Sequence, residues 1–357
     1  MNSGANPIRV LIADDSAFMR SALSRMVSSD PALQVIGTAV DGVDALEKTI
    51  ALNPDVVTLD IQMPRIDGLE ALRRIMAQSP RPVVIVSSLT HQNAEATLTA
   101  LAIGAFDCVS KQPDPMSLDI DHLRDVLVAS VKAAADSRRR AAPPQSPRKP
   151  VRSVPESPAP STTPAVIAIG TSTGGPKALQ EILPQLPGDL GIPILIVQHM
   201  PVGFTTPFAR RLDTLCQLRV REASHGAEVD GSVIYVAPAG MHMTVFRSPT
   251  SKARIVLSSN CGGKLHVPSV DVLMLSVAEH FGPQAMGVIM TGMGADGLEG
   301  MRAIHRRGGF TIGQDEASSA VYGMPKVCFH AGCLLKTVAL EEIPKHILLA
   351  ARYRRRA

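Results

Sequence analysis

Residues 165–179 read AVIAIGTSTGGPKAL. An apolar run closes on Gly170, a glycine-rich turn carries Ser172 and Thr173 at its apex, and Pro176 opens a helical stretch. That is a buried strand passing through a tight turn into a helix, the repeating unit of an α/β domain. Gly170-Thr171-Ser172-Thr173-Gly174 fits G-x-S-x-G in the strand-to-helix setting of a nucleophile elbow. The same turn also suits a plain helix cap or a phosphate cradle at a helix N-terminus. The stretch lacks the G-K-[ST] ending of a P-loop and does not fit G-x-G-x-x-G, which counts against nucleotide binding.

Downstream of this turn, PILIVQ (193–198) and MGVIMTG (286–292) repeat the buried-strand pattern. Between them SVIYVAP (232–238), MHMTVFR (241–247) and ARIVLSS (253–259) read as shorter strands, some of them antiparallel, so the expected sheet is mostly parallel, mixed and Rossmann-like. Upstream, RVLIAD, QVIGTA, DVVTLD, PVVIVS and FDCVS alternate with helical stretches such as AFMRSALSRMV and LEALRRIMAQ, which predicts a separate flavodoxin-like, five-stranded parallel sheet. Residues 136–164 are rich in Pro, Ser and Arg without apolar periodicity and are expected to be a solvated linker. The predicted organisation is a first domain over 1–135, the linker, and a second domain over 165–357.

Composition narrows the function classes. With 45% apolar residues, no tryptophan and few aromatics, both cores must be built from aliphatic side chains and methionine. The net charge of +4 is misleading: Arg138, Arg139, Arg140, Arg148, Lys149 and Arg152 crowd the linker, and Arg352, Arg354, Arg355 and Arg356 the C-terminus. The folded parts are therefore not basic, and nucleic acid is not the expected partner. No apolar run reaches membrane-spanning length and the N-terminus lacks a signal-peptide pattern, so no membrane insertion and a cytoplasmic location are expected. The five cysteines contain no C-x-x-C pair, so they are expected to be reduced and mostly buried.

Chemistry-bearing residues gather at strand ends. In the first domain Asp14 and Asp15, Asp60, Ser87 and Lys111 each follow a predicted strand, and parallel strands place all such ends on one edge. Helix capping is the simple reading of Asp14 or Asp15 alone. Three converging carboxylates call for a cation, and an all-oxygen site suits Mg²⁺. In the second domain His199 ends PILIVQH and Asp296 lies in the TGMGADG loop, bringing a base and an acid to the edge that carries Ser172. The order Ser, His, Asp differs from the Ser, Asp, His of α/β-hydrolases. Met200, Met290 and Met293 near this edge are expected to pack or to form soft contact surface.

The spacing of DD, LDIQMPRIDG, VSS and SK over residues 8 to about 130 resembles the receiver domain of bacterial response regulators. That resemblance implies Asp60 as phosphoacceptor, Asp14, Asp15, Asp60 and the Gln62 carbonyl as Mg²⁺ ligands, and Ser87 and Lys111 as phosphoryl-binding groups. The chain departs from the family at Gln112, inserted between Lys111 and Pro113, and at Cys108, where an aromatic is usual. GTSTGGP, VQHMPVGFT, PSVDVL, TGMGADG and QDEASSAVYGMP, from about residue 164 to 350, resemble the catalytic domain of the chemotaxis protein-glutamate methylesterases, with Val267 in place of a usual arginine. This implies hydrolysis of glutamate γ-methyl esters on the cytoplasmic helical domain of methyl-accepting chemoreceptors, together with glutamine deamidation. Ser172, His199 and Asp296 would be catalytic, and Thr173 and the Met293 N–H would serve the oxyanion. A CheA-type histidine kinase is the implied phosphodonor. The two constellations on one chain predict an esterase that phosphorylation of Asp60 activates by releasing a restraint. The alternative is a response regulator that acts by binding alone, with a degenerate second domain.

Overall fold

The computed structural model describes residues 6–88, 91–111, 120–141, 162–248, 252–260 and 266–352. Gln112, Cys261, Arg354, Arg355, Arg356 and most of the expected linker lie outside them. The chain divides into two compact units, Met1–Arg148 and Lys149–Ala357.

In the first unit β1 (Ile8–Ala13), α1 (Ala17–Ser28), β2 (Leu33–Ala39), α2 (Gly42–Leu52), β3 (Val56–Leu59), α3 (Gly68–Gln78), β4 (Val83–Ser87), α4 (His91–Ile103), β5 (Asp107–Ser110) and α5 (Ile120–Ala141) come in strict alternation. The strand order is β2-β1-β3-β4-β5, every pair parallel. Strands β3 and β4 are buried along their whole length, which is why they read as continuous apolar runs. Chain progression reverses between β1 and β3, so the crevice at their C-terminal ends is the natural ligand site.

The first domain runs past its expected boundary at residue 135. Helix α5 continues to Ala141 because Ala134 and Ala135 are buried and Ser137 Oγ donates to the Ala134 carbonyl. Arg138 adds a hydrogen bond to the Pro54 carbonyl at 3.0 Å. The arginine run that looked like linker is thus partly the last turns of a docked helix.

The second unit contains β6 (Val166–Thr171), α6 (Gly175–Ile182), β7 (Ile194–Gln198), α7 (Thr205–Leu215), β8 (Arg219–Glu222), β9 (Val233–Val236), β10 (His242–Phe246), β11 (Arg254–Ser258), α8 (Val270–Phe281), β12 (Ala285–Ile289), α9 (Leu298–Arg306), β13 (Phe310–Gln314), α10 (Met324–His330), β14 (Lys336–Val338) and α11 (Ile343–Ala350). Seven strands in the order β14-β13-β12-β6-β7-β9-β8 form one sheet, every neighbouring pair parallel. Among the described residues antiparallel pairing joins β10 and β11 into a ribbon of its own, extended by the isolated Glu228–Arg254 bridge, and Val245 N–H donates from this ribbon to Ser276 Oγ on α8. MHMTVFR and ARIVLSS are therefore strands, as expected, but they do not enter the main sheet, which is not mixed. The core packs β-strand aliphatics against Leu273, Met274 and Val277 of α8 and Met301 and Ile304 of α9. Chain progression reverses between β6 and β12, placing the loops after β6, β7 and β12 around one crevice.

Candidate active site and phosphoacceptor site

Thr171 of β6 lies opposite Gln198 of β7, so Ser172 and His199 are the next residues on adjacent strands. The His199 N–H donates to the Thr171 carbonyl, and Gln198 Nε2 donates to the carbonyls of both Ser172 and His199, at 3.0 and 2.9 Å. From the other side the Ser172 N–H donates to the Thr291 carbonyl just past β12. The nucleophile candidate is thus fixed by both neighbouring strands. Gly292 permits the approach: a Cβ there would stand 2.8 Å from Ser172 Cβ and 2.3 Å from Met324 Sδ.

His199 and Asp296 meet directly, Nε2 to Oδ2 at 2.8 Å, with both side chains about nine-tenths buried. A carboxylate only accepts, so Nε2 carries the proton and Nδ1 keeps its lone pair. Nδ1 is buried and makes no hydrogen bond, and the Ser172 hydroxyl makes none among the described residues. Ser172 and His199 are therefore adjacent without a side-chain bond between them among the described residues, while His199 and Asp296 are directly hydrogen-bonded.

Asp296 is held at the start of α8. Its Oδ1 accepts from Ser269 Oγ (2.8 Å) and Asp271 N–H (3.0 Å), and its Oδ2 also accepts from Val270 N–H (2.7 Å). Burial pushes this carboxyl up, but the His199 bond and charge and the Asp271 and Val270 amides outweigh it and hold it well below the usual carboxylate range. Ser269 also caps α8 and is fixed by donating its N–H to His242 Nδ1. PSVD is thus the seat of Asp296, a role not read from sequence; its only local signal was Ser269 as a cap before the apolar run of α8. Gln198 and Thr291 were likewise missed, since the bonds by which they hold the turn, to the Ser172 and Thr173 carbonyls, join residues distant in sequence. Thr291 Oγ1 donates to the Thr173 carbonyl and accepts from Val321 N–H, tying QDEASSAVYGMP to the turn.

The cap of α6 is Gly174 at φ +76°, without a side-chain hydrogen bond. The Thr173 hydroxyl is therefore not used for capping, and the backbone N–H groups of Thr173 and Met293 make no hydrogen bond among the described residues. Of the methionines, Met290 is core, Met200 half-buried and Met293 exposed. Val267, the departure from the usual arginine, accepts from Gly240 N–H through its carbonyl.

In the first unit Asp14, Asp60 and Ser87 are buried at the edge, Asp15 is exposed, and Asp14, Asp15 and Asp60 present oxygens all within 4.8 Å of one another. Lys111 Nζ lies 2.6 Å from Asp60 Oδ2 and 2.8 Å from Asp14 Oδ2. The helix cap is Ser16, which accepts from Met19 N–H, and Asp14 Oδ1 accepts from Ser16 N–H. Burial pushes the Asp60 carboxyl up, and although Lys111 and the Ile61 amide oppose this while Asp14 adds to it, the result lies above the usual range. For Lys111, burial lowers the ammonium and the Asp14 and Asp60 bonds more than restore it. Ser87 Oγ is buried without a hydrogen-bond partner among the described residues. Gln62 is exposed, two residues past Asp60, and its carbonyl accepts no hydrogen bond among the described residues. Cys108, half-buried on β5, holds the place of the usual aromatic, its thiol pushed far up by burial and then by Asp107. The oxygen donors fit a small hard cation.

A flavodoxin-like unit with an acidic edge, joined to a parallel α/β unit with serine, histidine and aspartate at its switch point, defines a response regulator carrying a hydrolase-type effector. Residues 10–120 match the response regulator receiver domain and residues 167–347 the CheB methylesterase family. The chain belongs to the CheB methylesterase family. It is 45% identical over 342 residues to the protein-glutamate methylesterase/protein-glutamine glutaminase of Halalkalibacterium halodurans, covering 96% of this chain and 97% of that one. To the protein of the same name in Symbiobacterium thermophilum it is 46% identical over 358 residues, covering 97% and 96%. Among solved structures it resembles the Thermotoga maritima CheB methylesterase catalytic domain, with a TM-score of 0.51 and 35% identity over 52% of this chain and 98% of that one. No helix among the described residues is long and apolar enough to cross a membrane.

Proposed function

We propose that this chain is a phosphorylation-activated protein-glutamate methylesterase and protein-glutamine glutaminase, working by serine nucleophilic catalysis on chemoreceptors. The observation that carries the reading is the His199 Nε2 to Asp296 Oδ2 bond, which leaves Nδ1 as a base beside Ser172. Ser172 Oγ attacks the γ-carbonyl as Nδ1 takes its proton, and Asp296 stabilises the imidazolium. The Met293 N–H and a Thr173 donor receive the oxyanion, each contributing about 3 to 4 kcal/mol of transition-state stabilisation. His199 then protonates the leaving methoxide, or the leaving amine of a glutamine. Water attacks the acyl-serine with His199 again as base, freeing glutamate and restoring Ser172.

In the receiver, Asp14, Asp15, Asp60 and the Gln62 carbonyl would hold Mg²⁺, which supplies charge neutralisation to the transferring phosphoryl group. The Asp60 carboxylate accepts that group from a CheA-type histidine kinase, Lys111 Nζ pairs with its oxygens and Ser87 Oγ donates to one of them. Phosphorylation shifts the chain toward an open esterase. The intended substrate region is the cytoplasmic helical domain of a methyl-accepting chemoreceptor. Binding without catalysis is not favoured, because the base and acid candidates are in hydrogen-bond contact and the curated relatives carry the enzyme name over nearly full length.

The test is methanol release from methylated receptor by wild type and Ser172→Ala, each with and without acetyl phosphate. Release by wild type, stimulation by acetyl phosphate and loss in the variant are expected. No release under either condition refutes the esterase reading.

A further inference from the structure

Beside the triad stands a second imidazole that none of these roles uses. The His266 ring stacks on the His199 ring with centroids 4.2 Å apart and planes 20° from parallel. Among the described residues His199 has one side-chain hydrogen bond, at Nε2, while Nδ1 has none. A ring held at one atom can still tilt about it, and tilting moves Nδ1 away from Ser172. A flat neighbour at stacking distance restricts that freedom, because a pair already stacked this closely loses face contact or collides when one ring tilts. The backbone just after His266 is held at two points: Val267 O accepts from Gly240 N–H and Ser269 N–H donates to His242 Nδ1.

We propose that His266 is a positioning residue for the esterase reaction, setting the plane of the His199 base and controlling, through its own charge, the formation of the His199 imidazolium. The inference rests on the triad reading of Ser172, His199 and Asp296. Neutral His266 offers its ring face to the cation that forms on His199 in the transition state, which is favourable. Protonated His266 places a like charge against that cation and opposes it. Other titratable groups on the surrounding elements are Asp296 against His199 Nε2, His242 of β10, Asp271 in the first turn of α8, whose Oδ1 accepts from Gly300 N–H, and exposed Lys177 of α6. Asp296 favours the imidazolium at every working pH, so the switchable opposing charge is that of His266. As pH falls, activity is lost both by protonation of the base itself and by protonation of its stacked neighbour.

The full chain is assayed for methanol release from methylated receptor as a function of pH, comparing wild type, Ser172→Ala, His266→Ala and His266→Phe, with melting curves confirming that each is folded. His266→Ala is expected to lower kcat about 10-fold with little change in KM, the equivalent of one stacked pair. His266→Phe, which keeps a flat ring but cannot be charged, should recover most of that loss. Its acid limb should be shallower than that of the wild type, falling with one proton where the wild type falls with two. Independently of substrate, the His199 imidazole followed by NMR should bind its proton at higher pH in His266→Phe, the opposing charge being gone. Superimposable acid limbs and unchanged His199 titration overturn the inference, as does a His266→Ala enzyme of wild-type rate. A wild type without Ser172-dependent methanol release is instead a failure of the esterase reading, and the NMR titration still decides whether the two rings are coupled.

Discussion

Replacing Asp296 by asparagine tests the geometry of the acid more sharply than deleting it. The carboxylate accepts four hydrogen bonds, two on each oxygen: Ser269 Oγ and Asp271 N–H on Oδ1, His199 Nε2 and Val270 N–H on Oδ2. An amide has one acceptor oxygen, so its NH₂ must face one of these pairs. Facing His199 and Val270, it would force the wrong tautomer on the base and oppose a backbone N–H. Facing Ser269 and Asp271, it opposes only the Asp271 N–H, because a hydroxyl rotates to accept. The second placement wins, and His199 keeps Nδ1 as its base. What is lost is the negative charge under the imidazolium; breaking a buried pair of this kind costs about 3 to 4 kcal/mol, or about 10²- to 10³-fold in kcat. The loss of about 10⁴-fold that a wrong tautomer causes in the serine protease template is not expected. Stability falls by about 2 kcal/mol at neutral pH from the unpaired Asp271 N–H. The Asp296 carboxyl is held below its unfolded value of 3.8, so its contribution is present above that pH and fades as pH falls toward the folded value. The margin between wild type and variant in urea unfolding should therefore narrow below about pH 4. A variant within threefold of wild-type kcat, or a stability margin unchanged between neutral and acid pH, would refute this account of Asp296.

Ser87→Ala should leave the urea midpoint nearly unchanged, since the buried hydroxyl has no partner to lose, while stimulation of methanol release by acetyl phosphate falls. Chelation of Mg²⁺ should abolish that stimulation and leave the basal rate of the unphosphorylated protein in place; equal loss of both would contradict a metal role confined to the receiver. Gly292→Ala should reduce kcat by about 100-fold, because its Cβ would displace Ser172 Cβ or Met324 Sδ and an error of that order in nucleophile position has that cost. The variant's rate, with melting temperature as control, checks this, and a wild-type rate would show that the turn has slack.

The parallel strands were legible because burial on both faces turns them into unbroken apolar runs, as in VVTL and VVIVS. Their C-terminal residues were legible for the same reason: once the runs are located, Asp60, Ser87, Ser172 and His199 sit at or just past their ends. The edge strands of the second sheet escaped, and so did its buried interior strand β13, FTIGQ, whose threonine, glycine and glutamine break the apolar run. RVRE of β8 alternates exposed and buried residues with charges on its open face, and KTV of β14 is three half-buried residues, so neither has the apolar continuity that marked the interior strands. The destination of MHMTVFR and ARIVLSS escaped too, since alternation says that a strand has one wet face but not which strand lies beside it.

The site divides along the same line. Ser172, His199 and Asp60 could be placed because each is tied to a strand end, whereas the groups that hold them come from positions tens of residues away. Ser269 looks like any serine before a helix until Asp296, 27 residues on, is set against it, and the amides and hydroxyl that receive the carboxylate exist only in that meeting. The glycine-rich turn pointed to Ser172 as a nucleophile candidate, and the fold places beside it what that role would need: a histidine whose tautomer is fixed by an aspartate, and an aspartate kept charged by a helix start. Local pattern therefore picks out the candidate reacting groups, and tertiary register fixes the hydrogen bonds that orient them. A substitution on the supporting side, at Ser269 or Asp296, should alter pH dependence as well as rate, while one confined to the turn should alter rate alone.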